Sequence, residues 1–224
     1  MTPAYDSFLT LLHRRHSCRA FLPDAVPGDT VTAILTAAQR VASWNNTQPW
    51  MLTITRPGET ERLRGVMTQA AQAAPPGPDL PFPERYEGIY KERRSVCGWQ
   101  LYDAVGVQKG DRAASARQGM ENFRFFGAPH LAVVTSPADL GPYGAVDVGA
   151  YVMGFMLAAE ALGVATIAQA ALAPFADVLR RELDLPEDRL VVCGIAFGFE
   201  DRDHPANSYR TTRADLDEVV TWRG

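Results

Sequence analysis

Asp147-Val148-Gly149-Ala150-Tyr151-Val152-Met153-Gly154-Phe155-Met156-Leu157-Ala158-Ala159-Glu160-Ala161-Leu162-Gly163 opens the most apolar region of the chain, which runs on to Ala173. Whether it crosses a bilayer or fills a protein core decides the fold, because about 20 apolar residues suffice to span a membrane. Two acids and a glycine argue for a core. Asp147 stands at the start, Glu160 falls near the middle of the run to Ala173, and Ala161-Leu162-Gly163 reads as a helix end. A helix apolar all round belongs in a large core or a subunit interface, and 146–162 is read that way. Beyond Gly163, Val164-Ala165-Thr166-Ile167-Ala168 has the composition of a strand.

Working outward, His130 to Thr135 follows Gly127-Ala128-Pro129 and reads as a buried strand. Leu190 to Phe199 is nearly continuous apolar sequence, as suits a central strand covered on both faces. Between them, Pro174 opens a helix to about Leu183. Towards the N-terminus, Phe8, Leu9, Leu11 and Leu12 share a helical face within 6–14. Val26-Pro27-Gly28-Asp29 starts a second helix, Met51 to Thr55 is β-prone, and Thr60 is the expected N-cap of a helix through Ala74. Five prolines in Ala74–Pro83 exclude regular structure there. Tyr86 to Arg94 then reads as a helix with Tyr86 and Tyr90 on one face. Val105-Gly106-Val107-Gln108-Lys109-Gly110-Asp111 fits neither nucleotide-loop pattern and is set aside. Helices and strands interleave without an internal repeat, giving an α+β layer architecture. We expect one domain over 1–224, with a proline-rich linker or lid insertion around 75–126.

The bulk numbers narrow the function. For a chain of 224 residues, net charge −4 and pI near 5.6 argue against a nucleic-acid footprint and leave room for a local basic pocket. Cys18, Cys97 and Cys193 are odd in number and form neither a CxxC nor a zinc spacing. No metal site and a reducing cytoplasm are therefore expected. The first residues lack a basic segment followed by an apolar core, so no signal peptide is read.

Two stretches carry chemistry. Arg14-Arg15-His16-Ser17-Cys18-Arg19 sets three arginines, a histidine and a hydroxyl just past a helix end. Such a cluster could hold a phosphate, through charge-assisted bonds, but taken alone it reads first as cations offsetting the negative end of the helix dipole. Ala42-Ser43-Trp44-Asn45-Asn46-Thr47-Gln48-Pro49-Trp50 joins flat apolar surface to amides that both donate and accept. That mix suits a planar, heteroatom-rich ring, or equally a polar loop whose tryptophans plug into the core.

Taken together, these stretches resemble the FMN-dependent nitroreductase family. Arg15-His16-Ser17-Cys18-Arg19-Ala20-Phe21 is similar to its N-terminal Arg-(Arg/His)-Ser-x-(Arg/Lys)-x-Phe motif, and Ser43-x-x-Asn46-Thr47-Gln48-Pro49-Trp50 to its Pro-Ser-x-x-Asn-x-Gln-Pro-Trp loop. Asp147-x-Gly149, Leu157 to Gly163, Gly194-Ile195-Ala196-Phe197-Gly198 and the tail arginine Arg213 continue the pattern in order. Ala42 departs from the usual proline, and Trp44 replaces a small residue.

The resemblance implies a three-layer fold with a central, mostly antiparallel sheet flanked by helices, and a homodimer with a domain-swapped C-terminal tail. It implies FMN at the subunit interface and NADPH or NADH as reductant. Arg15, His16, Ser17, Arg19, Arg210 and Arg213 would hold the phosphate and ribityl chain. Ser43, Trp44, Asn46 and Gln48 would reach the flavin from the partner subunit, and Ile167, Ala168, Gln169 and Ala170 would lie by its N5 edge. Trp44, Tyr86, Tyr90 and Arg94 are the candidate contacts for a small aromatic substrate, and Arg93 and Arg94 suggest a carboxylated one such as a nitrobenzoate. The implied activity is ping-pong hydride transfer through flavin N5 to nitroarenes or quinones, with no catalytic side chain. Dehalogenation, enone reduction, flavin cleavage and non-catalytic flavin binding are the alternatives. No membrane partner is expected.

Overall fold

The computed structural model describes residues 2–224. Its spine is helix α6, Gly141–Ala161, which begins five residues before the expected start because Pro142 is tolerated in a first helical turn. Length and hydropathy alone would let this helix cross a membrane, but its surroundings are those of a domain core. Val148, Tyr151, Val152, Phe155 and Ala159 are buried at helical spacing, against the sheet and helix α2, Gly28–Ala38. Both of its acids have protein partners. The Asp147 carboxylate accepts the Trp44 backbone N–H at 3.1 Å, and Glu160 pairs with Arg14 at 3.1 Å.

The sheet holds four strands: β1 Met51–Ile54, β2 His130–Pro137, β3 Ala165–Gln169 and β4 Arg189–Gly198. Their order is β1-β2-β4-β3, antiparallel throughout. Period-2 alternation sorts the side chains between two buried faces. Leu131, Val133, Ile167 and Ala196 face one cluster, with Leu63 and Met67 of α3 (Pro57–Ala73) and Leu179 of α7 (Ala176–Leu183). Ala132, Val134, Cys193, Ile195 and Phe197 face the other, with α2 and α6. A strand buried on both faces has no polar side to alternate, so 190–199 reads as one apolar run.

Several local readings are corrected. Thr60 is not an N-cap: α3 starts at Pro57 with Arg56 before it, and buried Thr60 instead bonds the Thr55 hydroxyl at 2.6 Å. Pro174 lies in a 3-10 turn, Ala170–Phe175, ahead of α7. The proline-rich segment is irregular but tied down. Gly77 N–H donates to Pro174 O at 2.6 Å, and Asp79 takes bonds from Arg180 at 2.9 Å and Val191 N–H at 2.7 Å. Beyond it, α4 spans Gly88–Ala104 and α5 spans Arg112–Met120. Tyr86 and Tyr90 share no helical face, because Glu87 is extended and α4 starts at Gly88, whose φ of 51° is left-handed. Tyr86 lies instead under the Arg94 guanidinium, 5.3 Å from the ring centre. The tail ends in a short turn of helix, α8 Leu216–Val219, whose Glu218 pairs with Arg93 of α4 at 3.1 Å.

Candidate active site

Strand β3 is the last of the sheet, and its outer edge is partly covered by the segment that leaves α1 (Pro3–Arg14). Ser17 bridges Thr166 in parallel, and Cys18 N–H donates to Thr166 O at 3.0 Å. Cys18 and Ala20 turn inward and are buried, while Arg15, Ser17 and Arg19 remain half-buried. An extended chain places residues two apart on one side, so these three point together. Asn207 locks the arrangement, accepting from Arg19 N–H at 2.7 Å and donating to Ala20 O at 2.9 Å.

The tail returns over this segment and closes a cavity of about 480 Å³, lined among others by Arg15, His16, Ser17, Arg19, Tyr209, Arg210 and Arg213. Its electrostatics are one-sided. Among the described residues, Arg15, Arg19, Arg210 and Arg213 form no ion pair, whereas their neighbour Arg14 pairs with Glu160. The Arg19 guanidinium meets only the Ser17 carbonyl, and those of Arg210 and Arg213 only carbonyls and the Thr211 hydroxyl. Burial and the nearby Arg213 charge hold the Arg15 pKa below its ordinary value, with Glu160 pulling the other way. Tyr209 lines the cavity as well; its hydroxyl is buried without a partner, and burial raises its pKa. Cations left without acidic partners around one cavity suit an anionic group. His16 also lines the cavity, but its ring nitrogens are engaged with Glu200 Oε1 at 2.9 Å and Arg14 O at 3.1 Å.

The 42–50 loop lies elsewhere: none of Ser43, Trp44, Asn46 or Gln48 lines this cavity. It is held tightly all the same. Ser43 Oγ accepts Gln48 N–H at 2.9 Å, and Arg189 donates to Pro49 O at 2.6 Å. Trp50 is buried, as the packed-connector reading expects, but Trp44 is 61% exposed and leans on Tyr143 with ring centres 5.0 Å apart. Asn45, Asn46 and Gln48 all have left-handed φ, between 50° and 57°.

At the end of β3, Ile167 and Gln169 are buried while Ala168 and Ala170 face outward. Gln169 donates to Asn122 O at 2.8 Å, and its own oxygen has no partner. Tyr86, Tyr90 and Arg94 lie in and before α4, outside the cavity. A second groove of about 910 Å³ runs between α4 and the tail and shares Cys97, Thr211 and Arg213 with the first. Sequence reading missed Tyr209, Asn207 and Cys97. Tyr209 and Asn207 stand close to Arg210, a usable signal, but nothing in the sequence around Cys97 marks it.

An antiparallel sheet between helical layers, with its edge strand partly covered by a basic segment that opens on an arginine-lined cavity, defines an α+β protein. The chain belongs to the nitroreductase family, whose model, "Nitroreductase family", matches residues 12–199. It is 35% identical over 211 residues to nitroreductase NfnB of Mycolicibacterium smegmatis, covering 94% of this chain and 90% of that protein. It is 32% identical over 229 residues to a 4-nitrobenzoate reductase of Nocardioides sp., covering 98% and 91%. The crystal structure of the FMN-dependent nitroreductase NfnB from Mycobacterium smegmatis in complex with NADPH superposes with a TM-score of 0.94 at 33% identity, covering 99% of this chain and all of that one.

Proposed function

We propose that the protein is an FMN-dependent, NAD(P)H-oxidising reductase of nitroaromatic compounds that works as a homodimer. The observation that carries this reading is that Arg15, Arg19, Arg210 and Arg213 line one cavity and, among the described residues, none of them forms an ion pair. Arg15, Ser17, Arg19, Arg210 and Arg213 would hold the FMN phosphate and ribityl chain, with the Tyr209 hydroxyl as a further donor. The donor set fits a dianion, each charge-assisted contact contributing about 1.5–3 kcal/mol. His16, already bonded on both ring nitrogens, would shape the wall of the site. Ser43, Trp44, Asn46 and Gln48 would serve the cavity of the partner subunit, and Ile167 to Ala170 would offer backbone groups to the ring.

The dimer is supported by apolar surface that one chain leaves uncovered. No residue of α1 is buried, and Tyr5, Phe8, Tyr143, Val146 and Met153 are exposed on α1 and α6, as suits an interface core. When bound, FMN would supply the redox chemistry that links NAD(P)H oxidation to reduction of the aromatic. The chain's own task is to bind, orient and exclude water. Among the substrate candidates, Arg94 forms no ion pair among the described residues and suits the carboxylate of a nitrobenzoate, while Arg93 is engaged with Glu218.

The test is to reconstitute the protein with FMN and record its visible spectrum. NADPH is then added without oxygen, followed by 4-nitrobenzoate, nitrobenzene or a quinone. Bleaching by NADPH and recovery with a nitroarene are expected. A colourless protein would sink the reading, and a yellow one that NADPH does not bleach would reduce it to flavin binding.

A further inference from the structure

The indole N–H of Trp50 can only donate, and it donates to Gln39 Oε1 at 2.9 Å. That contact decides which way the Gln39 amide faces. Its other end, Nε2, therefore donates to Gln48 Oε1, also at 2.9 Å. Gln48 in turn cannot rotate its amide: the oxygen is held by Gln39, and the nitrogen donates to Asn46 O at 3.2 Å. An amide nitrogen carries two hydrogens, so one N–H of exposed Gln48 remains for a ligand. The backbone beneath is equally fixed, since Gln48 N–H is bonded to Ser43 Oγ and the next carbonyl to Arg189.

We infer that Gln39, oriented by Trp50, is a positioning residue that makes Gln48 a hydrogen-bond donor to the bound ligand, so the ligand edge meeting this loop carries an acceptor. The inference rests on the reading that the loop faces FMN, in which case Gln48 addresses a carbonyl oxygen or bare ring nitrogen of the isoalloxazine. Gln39 itself touches no ligand. It sits at the C-terminal end of α2 on the exposed surface, so replacing it disturbs no core packing.

Gln39→Glu isolates the effect. A carboxylate still accepts from Trp50 but cannot donate to Gln48, whose amide then turns and presents its oxygen. FMN affinity, read from quenching of flavin fluorescence, should fall about tenfold at neutral pH. It should recover towards wild type as the introduced carboxyl takes a proton, at about pH 4.3 for an ordinary glutamate. Wild type measured at each pH gives the reference, and the charged side chains bonded to the loop, Asp147 and Arg189, are present in both. Gln39→Leu should show a smaller loss with no recovery in acid.

Wild-type affinity in Gln39→Glu at neutral pH would overturn the inference, as would a loss that does not recover in acid while circular dichroism remains native. Should Gln39→Glu fail to fold, unchanged affinity in Gln39→Leu would overturn it as well. A wild-type protein that takes up no FMN would sink the flavin reading and the ligand assigned to Gln48 with it. Hydrogen exchange of the Trp50 indole N–H still tests the relay in that case: Gln39→Leu should accelerate it, and an unchanged rate would refute the relay.

Discussion

Replacing Arg213 by methionine should separate an anion cradle from a merely basic surface, because the two states of the protein should respond in opposite senses. Without FMN, Arg213 is a burden. Burial first and the Arg213 charge second lower the Arg15 pKa, against Glu160, and no acid pairs with Arg213 among the described residues. Arg213→Met relieves this repulsion, so the stability of the FMN-free protein should hold or rise by up to about 1 kcal/mol, the scale of exposed charge pairs. With FMN, the same change removes a charge-assisted contact of about 1.5–3 kcal/mol, which weakens binding by about 10- to 100-fold.

Linkage turns that into a melting experiment. FMN at about 100 times the wild-type dissociation constant stabilises by about 2.7 kcal/mol, whereas a site weakened 100-fold gains only about 0.4 kcal/mol at the same concentration. For a chain of this size each kcal/mol moves Tm by about 2–4 °C. The FMN-induced shift should therefore shrink from about 5–11 °C to about 1–2 °C for a 100-fold loss, or about 3–6 °C for a 10-fold one, while the FMN-free Tm stays level or climbs. The scan belongs in a phosphate-free buffer at low salt, where screening is weakest. Arg14→Met is the control: Arg14 is paired with Glu160, so its loss should cost a little stability in both states and leave the FMN shift intact. A variant Arg213→Met that melts lower without FMN and keeps the full FMN shift would refute the cradle.

Burial pushes the Cys18 and Cys193 thiols up to about 12, against about 8.5 in an unfolded chain. Their contribution is thus complete below about pH 8.5 and lost between there and pH 12, by about 1.4 kcal/mol per pH unit for each thiol. Urea denaturation from about pH 8 upward should show this fall, and Cys193→Val should flatten it. The same burial leaves half-buried Cys97 as the thiol that iodoacetamide reaches in the native protein. Peptide mapping should find FMN protecting it, since it lines the anion cavity. Gly194→Ala would place a Cβ 2.6 Å from Leu172 Cδ1 and 3.1 Å from Leu131 Cδ1, both leucines being fully buried. A loss of about 1–3 kcal/mol in urea is expected, and an unchanged midpoint would show that these leucines can move. Trp44→Ala removes a ring that is mostly exposed, so Tm should barely move while kcat/KM ratios among nitroarenes and quinones change. Identical ratios would make Trp44 a surface residue only.

The parts of the fold legible in the sequence are those with an apolar face, whether one chain buries it or, as in α1, leaves it uncovered. Helix α6 and strands β2 and β4 pack on their neighbours within the chain, so their composition announces them. Helix α5 has only alanines and one methionine for apolar residues and buries none of them; its start is marked only by Asp111 capping Ala114 N–H at 2.9 Å. Helix α4 also buries no residue, which is why its last ten residues carry no periodic signal. The site divides the same way. Arg15, Ser17 and Arg19 were legible as a cluster, and Arg213 through the resemblance. Tyr209 and Cys97 reach the cavity only because the tail folds back across α4, a long-range event that leaves no mark on local sequence. The loop poses the sharper physical question. Asn45, Asn46 and Gln48 hold left-handed backbone, a conformation L-residues adopt at a cost of about 1–3 kcal/mol each. Asp147, Arg189 and Gln39 are all committed to keeping it there. Yet within its own chain the loop presents Trp44, Asn46 and Gln48 to solvent and lines no part of the anion cavity. Strain that the surrounding structure maintains on an exposed surface marks a ligand-facing segment. If FMN is held by its phosphate in the arginine-lined cavity, one chain offers its ring little beyond the backbone of Ile167 to Ala170, which is why we assign this loop to the cavity of a partner subunit.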